Sequence, residues 1–220
     1  MKSKLLITQG SQAIQLIREM FSCNIRPDNI LVLTIDDTKN KSFLTFLDYY
    51  NIQYNFVNAQ TINNAILDYL KYAQIDLIIS FSNPFKINKK VLSQNINTIN
   101  FHPGILPNYK GSLSTVYSLL NEEKEVGGTW HFVTESIDSG NIISSVTIKI
   151  KPIDTAFSLN HKIFSAGITK LDEVLNLIDS NFKGIEQNRQ GKFYHNKFPN
   201  IDNLDKHTQT KIKYFPPEFI

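Results

Sequence analysis

The first hundred residues alternate short β-branched runs with stretches at helical spacing, and this alternation limits the fold more than any other feature. Residues 5–8, 30–35, 54–57, 75–80 and 98–101 read as strands, and residues 12–21, 43–50 and 62–72 as helices between them. The run Ile30-Leu31-Val32-Leu33-Thr34-Ile35 is apolar on both faces, as a strand covered by helices on both sides must be. A β-α-β-α-β order predicts an α/β fold, a Rossmann-like doubly wound and mostly parallel sheet. Such sheets bind ligands beyond the carboxyl ends of their strands. Chemistry is therefore expected just after Thr8, Ser80 and Phe101.

Composition agrees and excludes several classes. The 220 residues are 41% hydrophobic, 11% aromatic and 20% charged, enough to bury a core and unlike a disordered chain. A net charge of +3 is too mild for a dedicated nucleic-acid binder and suits a small anionic ligand. The single cysteine, Cys23, excludes a disulfide within the chain and a cysteine-based zinc site, which fits a reducing cytoplasm. Cys23 ends an apolar helical pattern (Ile14, Leu16, Ile17, Met20, Phe21) and reads as a small buried hydrophobe rather than a nucleophile. No stretch approaches the ~18 apolar residues of a membrane span, and the opening apolar run is too short for a signal peptide. A cytoplasmic protein with no membrane partner is expected.

Beyond residue 111 the pattern changes. Residues 112–120 read as a short helix with Ser112 or Ser114 as N-cap. Residues 127–133 and 142–150 read as a pair of strands joined by residues 135–140, and Pro152 closes that unit. One long amphipathic helix is expected over residues 155–182, with Leu159, Ile163, Phe164, Ile168, Leu171, Val174, Leu175 and Ile178 on its apolar face. Residues 185–198 read as a short β-hairpin turning at Gln190-Gly191. The expected division is a main domain over residues 1–183 and a C-terminal hairpin and tail over residues 184–220.

Three segments carry polar groups where chemistry could sit. The first βα turn, Thr8-Gln9-Gly10-Ser11-Gln12, has one glycine rather than Gly-x-Gly-x-x-Gly. It is either a plain turn with Ser11 as N-cap or a backbone cradle for a phosphate. In Asn100-Phe101-His102-Pro103-Gly104-Ile105-Leu106-Pro107-Asn108-Tyr109-Lys110-Gly111, Asn100 and His102 share one face of a strand end while Phe101 turns into packing. Pro103 and Pro107 stiffen the exit. Two polar side chains on a rigid strand end suit catalysis; the alternative is a turn asparagine beside a satisfied histidine. In Ser136-Ile137-Asp138-Ser139-Gly140, Asp138 occupies a tight inter-strand loop, where an aspartate usually bonds its own backbone.

Taken together, Asn-x-His-Pro-x-x-Leu-Pro-x-Tyr-Lys-Gly, then Gly-Gly-Thr-x-His, then Ile-Asp-Ser-Gly-x-Ile-Ile resembles the N10-formyltetrahydrofolate-dependent formyltransferases, and most of all the sugar N-formyltransferases. The matching core spans about residues 75–150. Departures from the pattern are Gly104 where many relatives have Ser, Lys110 for Arg, which gives up planar bidentate geometry, and Trp130 for a branched aliphatic.

The resemblance implies roles for named residues. Asn100 and a protonated His102 would donate to the oxyanion formed when an amine attacks the formyl carbon, and Asp138 would orient and charge His102 or relay the amine's proton. Folate would lie against Ser82, Phe85, Lys86, Ile87 and Ile137. Substrate contacts fall to Gln9, Gly10, Ser11, Tyr109 and Lys110. His131 reads as a structural, hydrogen-bonded strand residue. No pair among His131, His161, His195 and His207 has metal-ligand spacing, and the chemistry needs no metal.

Four relatives compete. Methionyl-tRNA formyltransferases carry a further C-terminal domain, and formyltetrahydrofolate hydrolases an extra N-terminal one; this chain matches neither expectation. Glycinamide ribonucleotide formyltransferase fits in length, but its first βα loop is richer in Gly and Ser. Sugar N-formyltransferases often read Asn-Phe-His, and several end in a short dimer-building hairpin, which residues 185–195 resemble. The resemblance thus implies a homodimeric enzyme acting on a dTDP-linked amino-dideoxy sugar for surface polysaccharide (O-antigen). Tyr109, Tyr117, Tyr214 and Phe215 are available to stack on a base. A non-catalytic nucleotide-sugar or folate-binding module is the alternative from another class.

Overall fold

The structure is a computed structural model that describes residues 2–36, 41–188, 191–195 and 197–213. Its elements follow in order: β1 (Ser3–Thr8), α1 (Ser11–Ser22), β2 (Ile30–Thr34), α2 (Lys41–Tyr49), β3 (Gln53–Phe56), α3 (Ile62–Tyr72), β4 (Ile75–Phe81) and α4 (Lys89–Leu92). Then come β5 (Asn97–His102), β6 (Tyr109–Gly111), α5 (Ser114–Leu120), β7 (Glu125–Phe132), β8 (Ile142–Lys149), α6 (Ala156–Ile168), α7 (Leu171–Asp179), β9 (Lys192–Tyr194) and α8 (Lys206–Lys213).

Seven strands form one sheet in the order β3-β2-β1-β4-β5-β7-β8. The first five are parallel, and β7 and β8 are antiparallel additions. The sequence reading of a mostly parallel α/β sheet is therefore right. Residues alternate between the two faces, as strand geometry requires. Leu6, Val32, Ile79 and Phe101 pack under α1, α2, α6 and α7, while Leu5, Ile7, Leu33 and Ile78 pack against α3 and α4. The strand order reverses direction between β1 and β4, and the carboxyl ends of these strands and of β5 open onto the cavity described below.

Under β5 an aromatic cluster fixes the strand. Phe101 lies 5.7 Å from Phe81, 5.1 Å from Trp130 and 5.5 Å from Phe164, centroid to centroid. Gly128 and Gly167 make room: an added Cβ would sit 2.3 Å and 2.1 Å from the Phe101 ring. Trp130, larger than the aliphatic expected there, donates its indole N–H to the Gly167 carbonyl at 2.8 Å, so its bulk and its polar atom are both accommodated.

Four local expectations differ from the structure. The expected single helix over 155–182 is two helices, because the backbone tightens after Ile168. Lys170 N–H bonds back only three residues, to Gly167, and Thr169 Oγ1 donates to Ala166, which ends the α-helical ladder. The capping box of α6 is formed by Thr155 and Ser158. Ser112 and Ser114 do not cap α5: Leu113 holds that position at φ 59°, and Ser114 Oγ donates to the Tyr109 carbonyl instead. Ser11 is likewise not a cap, since Gly10 occupies the N-cap of α1 at φ 79°.

The expected C-terminal hairpin is also absent among the described residues. Ile185 bridges Ile142 at the edge of the main sheet, and β9 pairs in parallel with β6. The reason is a long-range stack: Tyr194 lies 5.4 Å from Tyr109 at 9° and 4.2 Å from Tyr117 at 29°. The expected turn at Gln190 and the tail aromatics Tyr214, Phe215 and Phe219 lie outside the described residues.

Candidate active site

A cavity of about 610 Å³ opens at the carboxyl ends of β4 and β5. Strand alternation puts the Asn100 and His102 side chains of β5 on its wall and turns the Phe101 ring into the aromatic cluster beneath. The antiparallel register of β5 and β7 sets His131 opposite Asn100 and Thr129 opposite His102. Asp138 arrives from the loop between β7 and β8.

These groups form one connected polar chain. Ser80 Oγ donates to Asn100 Oδ1 at 2.8 Å, which orients the amide. Asn100 Nδ2 then donates to His131 Nε2 at 3.1 Å, while His131 Nδ1–H donates to the Phe132 carbonyl at 2.8 Å. That pairing sets the His131 tautomer. Asp138 Oδ1 lies 3.5 Å from His131 Nε2 and Oδ2 lies 3.4 Å from His102 Nδ1. Oδ2 also accepts the Gly111 N–H at 2.8 Å. His102 Nε2–H donates to the Tyr109 carbonyl.

Burial lowers the pKa of His102, against the pull of Asp138 and the Tyr109 carbonyl, which favour the charged ring. Burial thus disfavours the charged ring in the ligand-free protein, whereas the sequence reading gave a protonated His102. In the neutral ring the proton sits on Nε2, and Nδ1 faces Asp138 at a distance too long for a good hydrogen bond. Burial also pushes Asp138 upward, but His102, His131 and the Gly111 N–H outweigh it and hold the carboxyl below the usual carboxylate range. The pair thus consists of an anion beside a base that gains a partner on protonation.

Backbone strain gathers at the same place. Ser82, Leu113 and Asp138 have φ of 55°, 59° and 50°, and all three line the cavity. For residues other than Gly or Asn such angles cost free energy and cluster at functional sites.

The structure sorts the sequence-derived candidates. Asn100, His102 and Asp138 come together, and Ser82, Phe85, Lys86, Ile87, Ile137 and Gln9 line the same cavity. Gly10 and Ser11 are not on its wall; Ser11 is exposed as the first residue of α1. Tyr109 is a correction: its ring is buried against Tyr194 and its hydroxyl donates to Glu123 at 2.6 Å, so only its backbone carbonyl reaches the site. Lys110 is another, because its ammonium donates to Ser139 Oγ at 3.0 Å over the Asp138 loop rather than lining the cavity. Tyr117 stacks on Tyr194 and donates to the Lys197 carbonyl. Burial first, with Asp172 and Glu19 nearby, pushes the Cys23 thiol up to about 11, which leaves it unreactive.

Sequence reasoning missed the part played by His131 and Ser80, and the arrival of Phe193 and His195 at the cavity. Ser80 carried a signal, as the end of a strand already singled out. His131 shares the parity of Thr129 on its strand, but its partner emerges only from the register with β5. Among the described residues, no group of three or more His, Cys, Asp or Glu could hold a metal, and no helix is long and apolar enough to cross a membrane.

Known proteins resemble the chain over this region. A family model described as formyl transferase matches residues 4–175. The GDP-perosamine N-formyltransferase of Brucella melitensis is 28% identical over 185 residues, covering 83% of this chain and 71% of that one. An N-formyltransferase of Helicobacter canadensis, solved with folinic acid and dTDP-3-aminofucose, superposes with a TM-score of 0.74 at 21% identity, over 96% of this chain and 80% of that one. Phosphoribosylglycinamide formyltransferase of Bacillus halodurans gives 0.72 at 21% identity, over 81% and 96%. The matched segment holds Ser80, Asn100, His102, His131 and Asp138 together, and the chain belongs to the formyl transferase family as an N-formyltransferase.

Proposed function

We propose that the enzyme moves a formyl group from N10-formyltetrahydrofolate to the amino group of a nucleotide-linked amino-dideoxy sugar, dTDP-linked, for surface polysaccharide. The observation that carries this reading is the connected, largely buried chain Ser80–Asn100–His131–Asp138–His102 on the wall of a cavity of ligand size. The names of the Brucella and Helicobacter relatives favour a sugar acceptor, linked to GDP in one and to dTDP in the other.

The residues present fit a folate. Ile137 and Phe193 are 50% and 41% exposed, and both border the cavity, where an apolar ring system would cover them. Phe85 and Ile87 add apolar wall, and Asn83 holds that loop by accepting from Phe85 N–H at 2.9 Å. When bound, the folate supplies an activated formyl carbon.

The chain's own groups do the rest. One Nδ2 proton of Asn100 is spent on His131, and the other is available for an oxygen that gains negative charge. A donor so placed contributes about 3 kcal/mol to the transition state. Ser80 and His131 keep the nitrogen, not the oxygen, of that amide on the working side. An amine attacking the formyl carbon must lose a proton, and neutral His102 Nδ1 can take it; the same proton would be returned to the leaving N10 as the old C–N bond breaks. The imidazolium so formed is stabilised by Asp138, which closes the 3.4 Å gap as a charge-assisted hydrogen bond.

The test is turnover with N10-formyltetrahydrofolate and a panel of dTDP-, GDP- and UDP-linked amino sugars plus glycinamide ribonucleotide, followed by the absorbance of released folate. Formyl transfer to an amino sugar is expected. Turnover with the ribotide alone overturns the sugar acceptor, and no turnover with any acceptor overturns the reading.

A further inference from the structure

The segment after α7 contributes to the site from outside the matched residues 4–175. Gln187 Nε2 donates to the Asp138 carbonyl at 3.1 Å and to the Gly140 carbonyl at 2.7 Å. Both amide protons are therefore spent on the loop that presents Asp138. Gln187 Oε1 is buried and has no partner, a cost that fixes which way the amide points, since the flipped amide would set its oxygen against two carbonyls.

Asp138 needs such support. Its backbone is held at φ 50°, and a Cβ on neighbouring Gly140 would meet the Phe132 carbonyl at 1.8 Å, so the loop passes very close to the end of β7. The same segment reaches the other side of Asp138 through β9. Tyr194 pairs with Gly111, whose N–H donates to Asp138 Oδ2. A Cβ at Gly111 would lie 2.1 Å from the Tyr194 carbonyl, so this pairing depends on glycine.

We propose that Gln187 is a positioning residue for Asp138, and that Gln187 and β9 together clamp the Asp138 loop into its working geometry. Asp138 is gripped at its backbone by Gln187 and at its carboxylate by the strand that β9 holds. Without the two Gln187 donors the loop relaxes from its left-handed conformation and the carboxylate leaves His102 and His131. The kinetic consequence rests on the formyl-transfer reading above; the structural consequence does not.

The test uses Gln187→Met, which keeps the length of the side chain and removes both donors. Hydrogen exchange in the ligand-free protein should speed up at the Gly111 amide and over residues 138–141, with the main sheet unchanged. In turnover, kcat should fall about tenfold or more with KM within about twofold, because a misplaced carboxylate costs rate rather than binding. Gln187→Asn, with both donors on a shorter stem, should recover part of the loss, and it carries the comparison if Gln187→Met does not fold. Exposed Glu186→Ala is the control and should behave as wild type. Wild-type exchange in the loop, or faster exchange everywhere at once, overturns the proposal, as does wild-type kcat in an active enzyme. If the wild-type protein transfers no formyl group, the functional reading fails and the exchange arm alone decides.

Discussion

Asn100 and His131 stand opposite each other in the antiparallel register of β5 and β7, and the Asn100 amide donates to the His131 ring at 3.1 Å. The amide therefore has a fixed direction: Ser80 holds its oxygen and His131 takes one proton of its nitrogen. In the proposed mechanism His131 acts on the reaction through Asn100. In His131→Leu the amide loses the partner that tells its nitrogen from its oxygen. We expect kcat to fall about tenfold or more while KM for both substrates changes little. Steady-state kinetics with wild-type KM and wild-type kcat would remove His131 from this role.

The three residues on the working side should each be indispensable. In the proposed mechanism Asn100→Ala removes the donor to the developing oxyanion and should cost about a hundredfold in kcat. By the same proposal His102→Ala removes the proton acceptor, and Asp138→Ala removes the charge that stabilises its protonated form; each should lose orders of magnitude. Circular dichroism should show all three variants folded. Near-wild-type turnover in any of them would exclude that residue from the chemistry.

Acid should weaken the fold through His102. The ordinary histidine value is 6.5, and burial holds the folded ring below it. Just below pH 6.5 the unfolded chain therefore binds a proton that the folded protein does not, and stability falls as pH falls. Asp138, also held below its ordinary 3.8, adds a second loss at lower pH, with the same sign. Urea unfolding of wild type and His102→Gln from pH 8 to 5 checks the first step. The gap between the two proteins should change with pH, with wild type losing more on acidification; parallel curves would mean His102 titrates alike in both states.

Much of this is legible in the sequence, and what is not shares a cause. Repeated β-branched runs gave the parallel half of the sheet because each strand declares itself locally. Asn100 and His102 were legible because residues two apart on a strand must share a face. Tyr109 was misread because β6 forms only against β9, more than eighty residues on, and that pairing turns its ring away from the cavity. His131, Ser80 and Gln187 acquire their roles from register and long-range contact, which local pattern does not encode. The break after Ile168 was hidden because the apolar spacing continues through Leu171, Val174 and Leu175 while the backbone tightens.

The packing beneath the site should also govern it. Gly167 lies on α6 with the Phe101 ring against it; three ring atoms would stand 2.1, 2.3 and 2.7 Å from an added Cβ. Gly167→Ala should gain up to about 1 kcal/mol of helix propensity. Overpacking of a filled core costs about 1–3 kcal/mol, and the ring has nowhere to go, being 2% exposed among Phe81, Trp130 and Phe164. The clash should win, so urea unfolding should show a net loss of stability. Because Phe101 sits between Asn100 and His102 on β5, displacing it shifts both, and kcat should fall with stability. Phe101→Leu in the same chain should relieve the clash. A double-mutant cycle would show this as less than additive loss, and strict additivity would place the effect of Gly167→Ala elsewhere.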